Sequence, residues 1–438
     1  LIRESLNRIN RFDDLTMSGS NQKIVRARTI LPVSRPPIEN GAVVISGNRI
    51  RAVGPWSDLQ RHASGRISDL GEVVLLPGLV NAHCHLDYTD MAGLLPPPKT
   101  FTAWIHLLME ARAQWERDDY ARSWLKGASQ LLQTGTTTVG DIETIPELLP
   151  GVWRSTPLRV FSFIEMTGIR ARRDPRTILR EAVEKIDSLS HPRCSASLSP
   201  HAPYSTVPEL LRLGAQAARW RHLRICIHVA ESVQEFEMFR HARGEMFDWL
   251  LRNQRDPSDC GLGSPVKHLA RNQALGENLL AIHVNLLARG DAALLGKHRV
   301  HVVHCPRSHD YFHHPPFQRQ KLARAGVNIC LGTDSLATVR KTGRQDPELN
   351  LFEEMRVLAA NDSALSPKEI LCLATVNGAR ALGLTGQIGE ITKNALADFI
   401  AIPAKAKSRN AYEAVLGHTG KVSASMIDGQ WVIPPPDL

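Results

Sequence analysis

No two cysteines in this 438-residue chain stand as a CxxC pair, and their total, seven, is odd. Cys84, Cys194, Cys226, Cys260, Cys305, Cys330 and Cys372 are scattered singly, several of them inside apolar runs where a thiol behaves as a small hydrophobe. This usage argues against a disulfide framework, and a reducing, cytoplasmic location is the expectation. No apolar run reaches the roughly 18 residues of a membrane span. The first 15 residues lack the apolar block and small-residue cleavage site of a secretory signal. Residues 1–16 are expected to be a disordered or non-native extension. Sequence repeats and low-complexity tracts are absent as well.

What is present is ordinary globular material, 43% hydrophobic and 22% charged. The formal net charge of +9 is dispersed, with no stacking-aromatic motif beside it, so a solvated basic surface is expected rather than a nucleic-acid partner. Residues 23–75 read as short strands with turns, Gly47-Asn48 joining two alternating segments as in a hairpin. The same pattern returns at 395–403 and 421–433, with Asp428-Gly429 as a turn. A composite β-sandwich of residues 17–75 plus 387–438 follows from these two ends.

Residues 76–386 alternate differently. Eight short runs rich in β-branched residues recur around Leu79–His83, Thr137–Asp141, Arg159–Ile164, Ser195–Ser199, Arg224–Val229, Leu279–His283, His301–His304 and Val327–Gly332, each followed by a helical pattern. Near-continuous apolar strands alternating with amphipathic helices indicate a parallel sheet covered by helices. Eight such units close into a (β/α)₈ TIM barrel. An open doubly wound sheet would share the alternation, but no Gly-rich phosphate loop follows the first strand.

In such a barrel the chemistry projects from the C-terminal ends of the strands. Those ends carry His83 and His85, then His201, His228, His283, His304 and Asp334. One histidine at a strand end is usually a satisfied polar residue; this many are hard to explain as packing. In His83-Cys84-His85 the strand period of two puts both imidazoles on one side, within reach of one ion, while Cys84 faces away into packing. His228 adds a third neutral ligand and Asp334 a carboxylate, leaving an open position at which water can be activated for attack. The donor types suit Zn²⁺ first, with Fe²⁺ or Mn²⁺ as alternatives. Glu231, three residues past His228, is placed to shuttle a proton, the alternative being a charge favoured by a helix N-terminus. His283 is expected to orient the attacking water, or else to be a simple buried histidine.

The stretches PGLVNAHCHLDYT from residue 77, SPHAPYS from 199, IHVAES from 227, HVNLL from 283, HCPRS from 304 and LGTDS from 331 resemble the amidohydrolase superfamily. Within it they look like the cytosine deaminase, chlorohydrolase and S-adenosylhomocysteine deaminase branch. The resemblance covers residues 23 to 436, and QIGEITKNALADFIAI from residue 387 is similar to the family's closing glycine and Ala-Asp pattern. It implies a mononuclear site with His83, His85, His228 and Asp334 as ligands, Glu231 and Asp334 as proton shuttles, and His283 on the water. No carboxylated lysine stands out at the fourth strand, which speaks against a binuclear site. HCPRSHDYF from 304 and TFTAWIHLLMEAR from 100 look like an aminodeoxyfutalosine deaminase-like subgroup. His309 stands where better-known nucleoside deaminases have Asn.

The expected activity is hydrolysis of a non-peptide C–N bond, most simply deamination of a purine-like or other nitrogen heterocycle. Cyclic amide hydrolysis, C–Cl hydrolysis and a catalytically silent scaffold are the alternatives. The other zinc nucleobase deaminases, with H-x-E and P-C-x-x-C, are excluded by the missing CxxC. A small-molecule substrate is the expected partner, no membrane is involved, and a homodimer is left open. Expected substrate contacts are His201, Trp104, Glu165, Arg307 and Ser335. For these the plainer alternatives are packing (His201), a core indole (Trp104) and pairing with other charges (Glu165 and Arg307).

Overall fold

The computed structural model describes residues 22–436, apart from residues 63, 97, 170–172, 342–345 and 405–407. The expected extension at residues 1–16, and the start of the composite unit at 17–21, lie outside the described residues. Among the described residues no helix is long and apolar enough to cross a membrane.

Five strands open the chain: β1 (Gln22–Ile30), β2 (Ile38–Ser46), β3 (Arg49–Pro55), β4 (Arg66–Asp69) and β5 (Val73–Pro77). They join three from the far end, β14 (Phe399–Pro403), β15 (Ala424–Ile427) and β16 (Gln430–Ile433), in one mixed eight-stranded sheet. The order β16-β15-β14-β5-β1-β2-β3, with β4 against β1, makes the sheet a product of both chain ends. It curls so that the β3 edge meets the stretch leading into β14. The amide of Ile50 donates to the Ala395 carbonyl at 2.9 Å and that of Ala397 to the Asn48 carbonyl at 2.9 Å. Val25, Ala27, Ile45, Phe399 and Met426 then share one apolar layer inside the curl. Gly429, at φ 70°, is required there, since a Cβ would press on the Asn48 backbone at 3.2 Å.

Between these ends run β6 (Leu79–Cys84), β7 (Thr136–Glu143), β8 (Arg159–Met166), β9 (Ser195–Pro200), β10 (Ile225–Val229), β11 (Leu279–His283), β12 (His301–His304) and β13 (Asn328–Leu331). They form the second eight-stranded sheet in strict chain order, all neighbours parallel. The ring closes where Cys84 bridges Asp334 in parallel register and the amides of Thr333 and Asp334 donate to the His83 carbonyl at 3.0 and 3.2 Å. A Cβ at Gly332 would lie 2.7 Å from that same carbonyl oxygen, so only glycine lets β13 approach β6 this closely. The strands are buried on both faces, as parallel barrel strands must be. Val80, Ala82, Ile142, Phe163, Cys226, Leu280, Val303 and Cys330 pack together. A larger apolar cluster, which holds Cys84, Trp124, Leu131 and Leu198, joins strands to helices. All seven cysteines are unpaired, and Cys84 is buried in that larger cluster.

Candidate metal centre at the barrel mouth

The C-terminal ends of the strands bring five residues from four distant stretches into one buried group. His83 and His85 leave β6, His228 lies in β10, His283 ends β11 and Asp334 follows β13; all are under one-tenth exposed. His85 Nε2 lies 3.4 Å from His228 Nε2. Asp334 Oδ1 is 3.5 Å from His83 Nε2 and 3.7 Å from His85 Nε2. Ligand atoms about 2.1 Å from a shared ion at tetrahedral corners stand about 3.4 Å apart, so this spacing suits one cation. Two donor sets meet the same condition, His83 with His85 and His228, and His83 with His283 and Asp334, each within 4.8 Å.

The hydrogen bonding agrees. His228 Nδ1 faces the His201 carbonyl at 2.9 Å and can only donate to it. This fixes the tautomer and leaves the Nε2 lone pair for a metal. Both ring nitrogens of His83, Nδ1 of His85 and Nε2 of His283 are buried without a hydrogen-bond partner among the described residues. Orphaned polar atoms of this kind are costly unless something else satisfies them. Burial, then the neighbouring imidazoles, pushes His85 and His228 well below the usual histidine range, into the neutral form that ligates. Burial alone would raise Asp334. The imidazoles of His83, His283 and His85 outweigh it and hold the carboxyl well below the usual range.

The backbone is strained at these residues. Ala230, His283, Val284 and Asp334 lie in the left-handed region at φ 52°, 73°, 48° and 53°. Each such non-glycine residue costs on the order of 1–3 kcal/mol, which surrounding structure must offset. The strain at Ala230 turns the chain so that Glu231 enters the mouth, its Oε1 3.4 Å from His283 Nε2. Ser232 caps the next helix, Val233–His241, by accepting from the Glu235 amide. It is Glu235 whose carboxylate takes the Glu231 amide, at 2.8 Å. Burial first, then the Asp334 and Glu235 carboxyls, pushes Glu231 well above the usual carboxylate range. Burial takes His283 down to about 3.

The expected substrate contacts divide. His201 Nε2 points toward Glu165 Oε2 at 3.9 Å, its Nδ1 held by Ser205 Oγ at 2.6 Å, and both residues keep some exposure at the rim. Trp104 stacks on Phe101 and meets Phe312 edge-on, with its indole N–H donated to the Ala337 carbonyl at 3.3 Å. Arg307 takes the pairing alternative: Glu354 accepts from its Nε at 2.5 Å and its amide at 2.9 Å. Ser335 is buried directly after Asp334. Residue patterns did not reveal the role of Asn285, whose amide reaches the Glu231 carbonyl at 3.0 Å, nor its link at 3.0 Å to His309, which had stood out only as a departure from Asn. Thr338 Oγ1, 3.3 Å from Asp334 Oδ2, was also missed. The position of Asn285 two residues past a strand-end histidine was the available signal.

An eight-stranded parallel barrel with clustered histidines and carboxyls at its mouth is the arrangement of a metal-dependent hydrolase. A model of the amidohydrolase family matches residues 74–432, and one of the bacterial imidazolonepropionase-like composite domain matches residues 41–63. The 5-methylthioadenosine/S-adenosylhomocysteine deaminase of Syntrophobacter fumaroxidans is 29% identical over 390 residues, 83% of this chain and 80% of that protein. The aminofutalosine deaminase of Helicobacter pylori, solved with methylthio-coformycin, superposes with a TM-score of 0.83 at 20% identity, over 94% of this chain and 100% of that one. A zinc-bound adenosine deaminase from Xanthomonas campestris gives 0.80 at 23% identity, over 95% and 94%. The chain belongs to the amidohydrolase family. It is a divalent-metal-dependent hydrolase of non-peptide C–N bonds, on that family's deaminase side.

Proposed function

We propose that the chain deaminates an aminopurine nucleoside, with His83, His85, His228 and Asp334 holding a single zinc ion. The observation that carries the reading is that two overlapping donor sets, His83 with His85 and His228, and His83 with His283 and Asp334, lie beside the Glu231 carboxyl at one end of the barrel. When bound, the ion supplies Lewis-acid activation of water.

The chain's own groups account for the proton traffic. As water adds to the amino-bearing ring carbon, charge builds on the adjacent ring nitrogen, and Glu231 hands its proton there. Asp334, kept ionised, takes one proton from the water and returns it to the departing amine, which leaves as ammonia, while the remaining hydroxyl proton goes back to Glu231 as the carbonyl forms. Neutral His283, beside Glu231, orients the attacking water. His201 and Glu165 at the rim meet polar groups of the sugar or its 5′ substituent, and Trp104 with Phe101 and Phe312 walls the ring.

The relatives direct the choice of substrates. Metal-analysed protein is to be incubated with 5′-methylthioadenosine, S-adenosylhomocysteine, adenosine and aminofutalosine while ammonia is measured. Zinc-dependent ammonia release from one or more of them, one equivalent per molecule consumed, is the expected result. Absence of ammonia from all four, with the metal site filled, refutes the nucleoside deaminase assignment.

A further inference from the structure

His309, on the short helix Pro306–Tyr311 after β12, lies close to the acid. It is 7% exposed and separated from Glu231 by a single side chain, Asn285, which is 2% exposed. The left-handed residues His283 and Val284 turn the chain past β11 so that Asn285 bridges the ends of β10 and β12. Its Nδ2 donates to the Glu231 carbonyl at 3.0 Å. A carbonyl only accepts, so Oδ1 must face the other way, toward His309 Nδ1 at 3.0 Å, and that nitrogen must carry the hydrogen. His309 is itself fixed: its amide donates to the Cys305 carbonyl at 2.9 Å, and its ring meets His304 edge-on. His304 in turn stacks on Phe317.

We propose that His309 is a positioning residue which, through Asn285, locks the Glu231 peptide and so aims the proton-carrying carboxyl. The proposal rests on the assignment of Glu231 as the acid of the C–N hydrolysis. With its carbonyl held by Asn285 and its amide by Glu235 at 2.8 Å, Glu231 keeps only its side-chain torsions free. The link is not needed to hold the local chain together. Backbone bonds from the Val284 amide to the Val229 carbonyl and from the Leu286 amide to the Ala230 carbonyl already do that, at 3.1 and 3.2 Å. What the link adds is confined to the orientation of Glu231.

Three variants separate this role from plain packing. His309→Asn keeps an N–H near the place of Nδ1, His309→Gln moves it to the place of Nε2, and His309→Leu removes it. Misaiming an acid by a fraction of an ångström to an ångström lowers turnover roughly 10- to 100-fold. That loss in kcat, with KM and zinc content unchanged, is expected for the Gln and Leu variants, and recovery to near the wild-type value for Asn. Equal losses in Asn and Gln, a change confined to KM, or unchanged kcat in all three would overturn it.

Exchange of the Asn285 side-chain amide protons, followed by NMR, reads the link without turnover. Slow exchange is expected in the wild type and His309→Asn, and fast exchange in the other two; one rate across all four proteins overturns the proposal. If the wild type releases no ammonia from any nucleoside, the substrate assignment falls by itself, and the exchange series still decides whether His309 holds Asn285.

Discussion

The barrel buries charge at both of its ends, and the two ends treat it in opposite ways. At the floor, Arg159 opens β8 and reaches the curled sheet. Asp398 Oδ2 accepts from its Nε at 3.3 Å and its Nη2 at 3.0 Å, and Asp428 Oδ1 lies 3.0 Å from Nη2. The remaining oxygen of Asp398 takes the Asp428 amide at 2.7 Å. At the mouth, both nitrogens of His83 and one each of His85, His283 and His304 have no hydrogen-bond partner among the described residues, and the backbone at His283 and Asp334 is strained. At the floor two carboxyls share one guanidinium and every contact is made within the protein. The mouth holds donors and lone pairs in reserve for an ion and a reacting molecule. Cutting each end in turn should therefore give different kinds of loss, which four changes test in order of their effect on turnover.

The largest effect belongs to His228→Ala. It removes one donor from the group of three imidazoles, so zinc content by elemental analysis should fall sharply and ammonia release should drop to background. Zinc bound at the wild-type level would break the comparison at its strongest point. Next comes Glu231→Gln, which keeps shape but cannot give up a proton. Turnover should fall about 10²- to 10⁴-fold while zinc stays bound. The pH profile sharpens this. Glu231 is held above the usual range, so if it works in its protonated form as proposed, activity should persist past the normal carboxylate range and decline as pH climbs through its elevated pKa. The residual activity of the Gln variant should lack that decline.

Glu235, four residues further on, should matter far less to turnover. Burial pushes it up to about 8, against the pull of the Glu231, Ala230 and Ser232 amides. It is therefore neutral at pH 7, and Glu235→Gln retains an oxygen for the Glu231 amide, so kcat should stay within about 3-fold of wild type. The stability difference has a definite sign. A group with a folded pKa above its unfolded value contributes stability at low pH and loses it as pH rises through the folded pKa. Wild-type Tm should thus decline relative to Glu235→Gln from about pH 4.5 to about pH 8. Parallel Tm curves for the two proteins would show that Glu235 is ionised in the fold.

The mouth was far more legible in the sequence than the floor, for physical reasons. Parallel barrel strands are buried on both faces, so they appear as unbroken apolar runs, and a polar residue at the end of such a run stands out. His83 and His85 also share a strand period. Eight runs therefore located β6 to β13 to within a few residues and drew attention to His228, His283 and Asp334. The composite sheet was foreseeable from matching β patterns at both ends, though its strand order was not. Pairing of Arg159 with Asp398 spans 239 positions, and nothing in either local stretch announces it; Asp398 was visible only as part of an Ala-Asp pattern. The link from Asn285 to His309 was hidden for a similar reason, since a bond between a loop and a short helix leaves no periodic trace. Trp104 and Arg307 had two readings each, which only their neighbours could separate.

Asp398→Ala tests the comparison from the other side, because its expected effect on turnover per folded molecule is nil. It leaves Arg159, one-tenth exposed in its side chain, with Asp428 alone, and it strips the Asp428 amide of its acceptor. Removing one partner of a buried pair costs about 3–5 kcal/mol when the remaining charge is stranded; Arg159 keeps Asp428, so a smaller loss is expected. A clear drop in Tm and in the denaturant midpoint should follow, with zinc content, KM and kcat of the folded fraction unchanged. Replacing Arg159 and Asp398 together by apolar residues of similar size should then recover part of the loss, since the buried guanidinium goes too and only Asp428, 22% exposed in its side chain, loses its partner. If Asp398→Ala instead lowered kcat while leaving Tm alone, the floor would be coupled to the chemistry, and the division of labour between the two ends of the barrel would have to be abandoned.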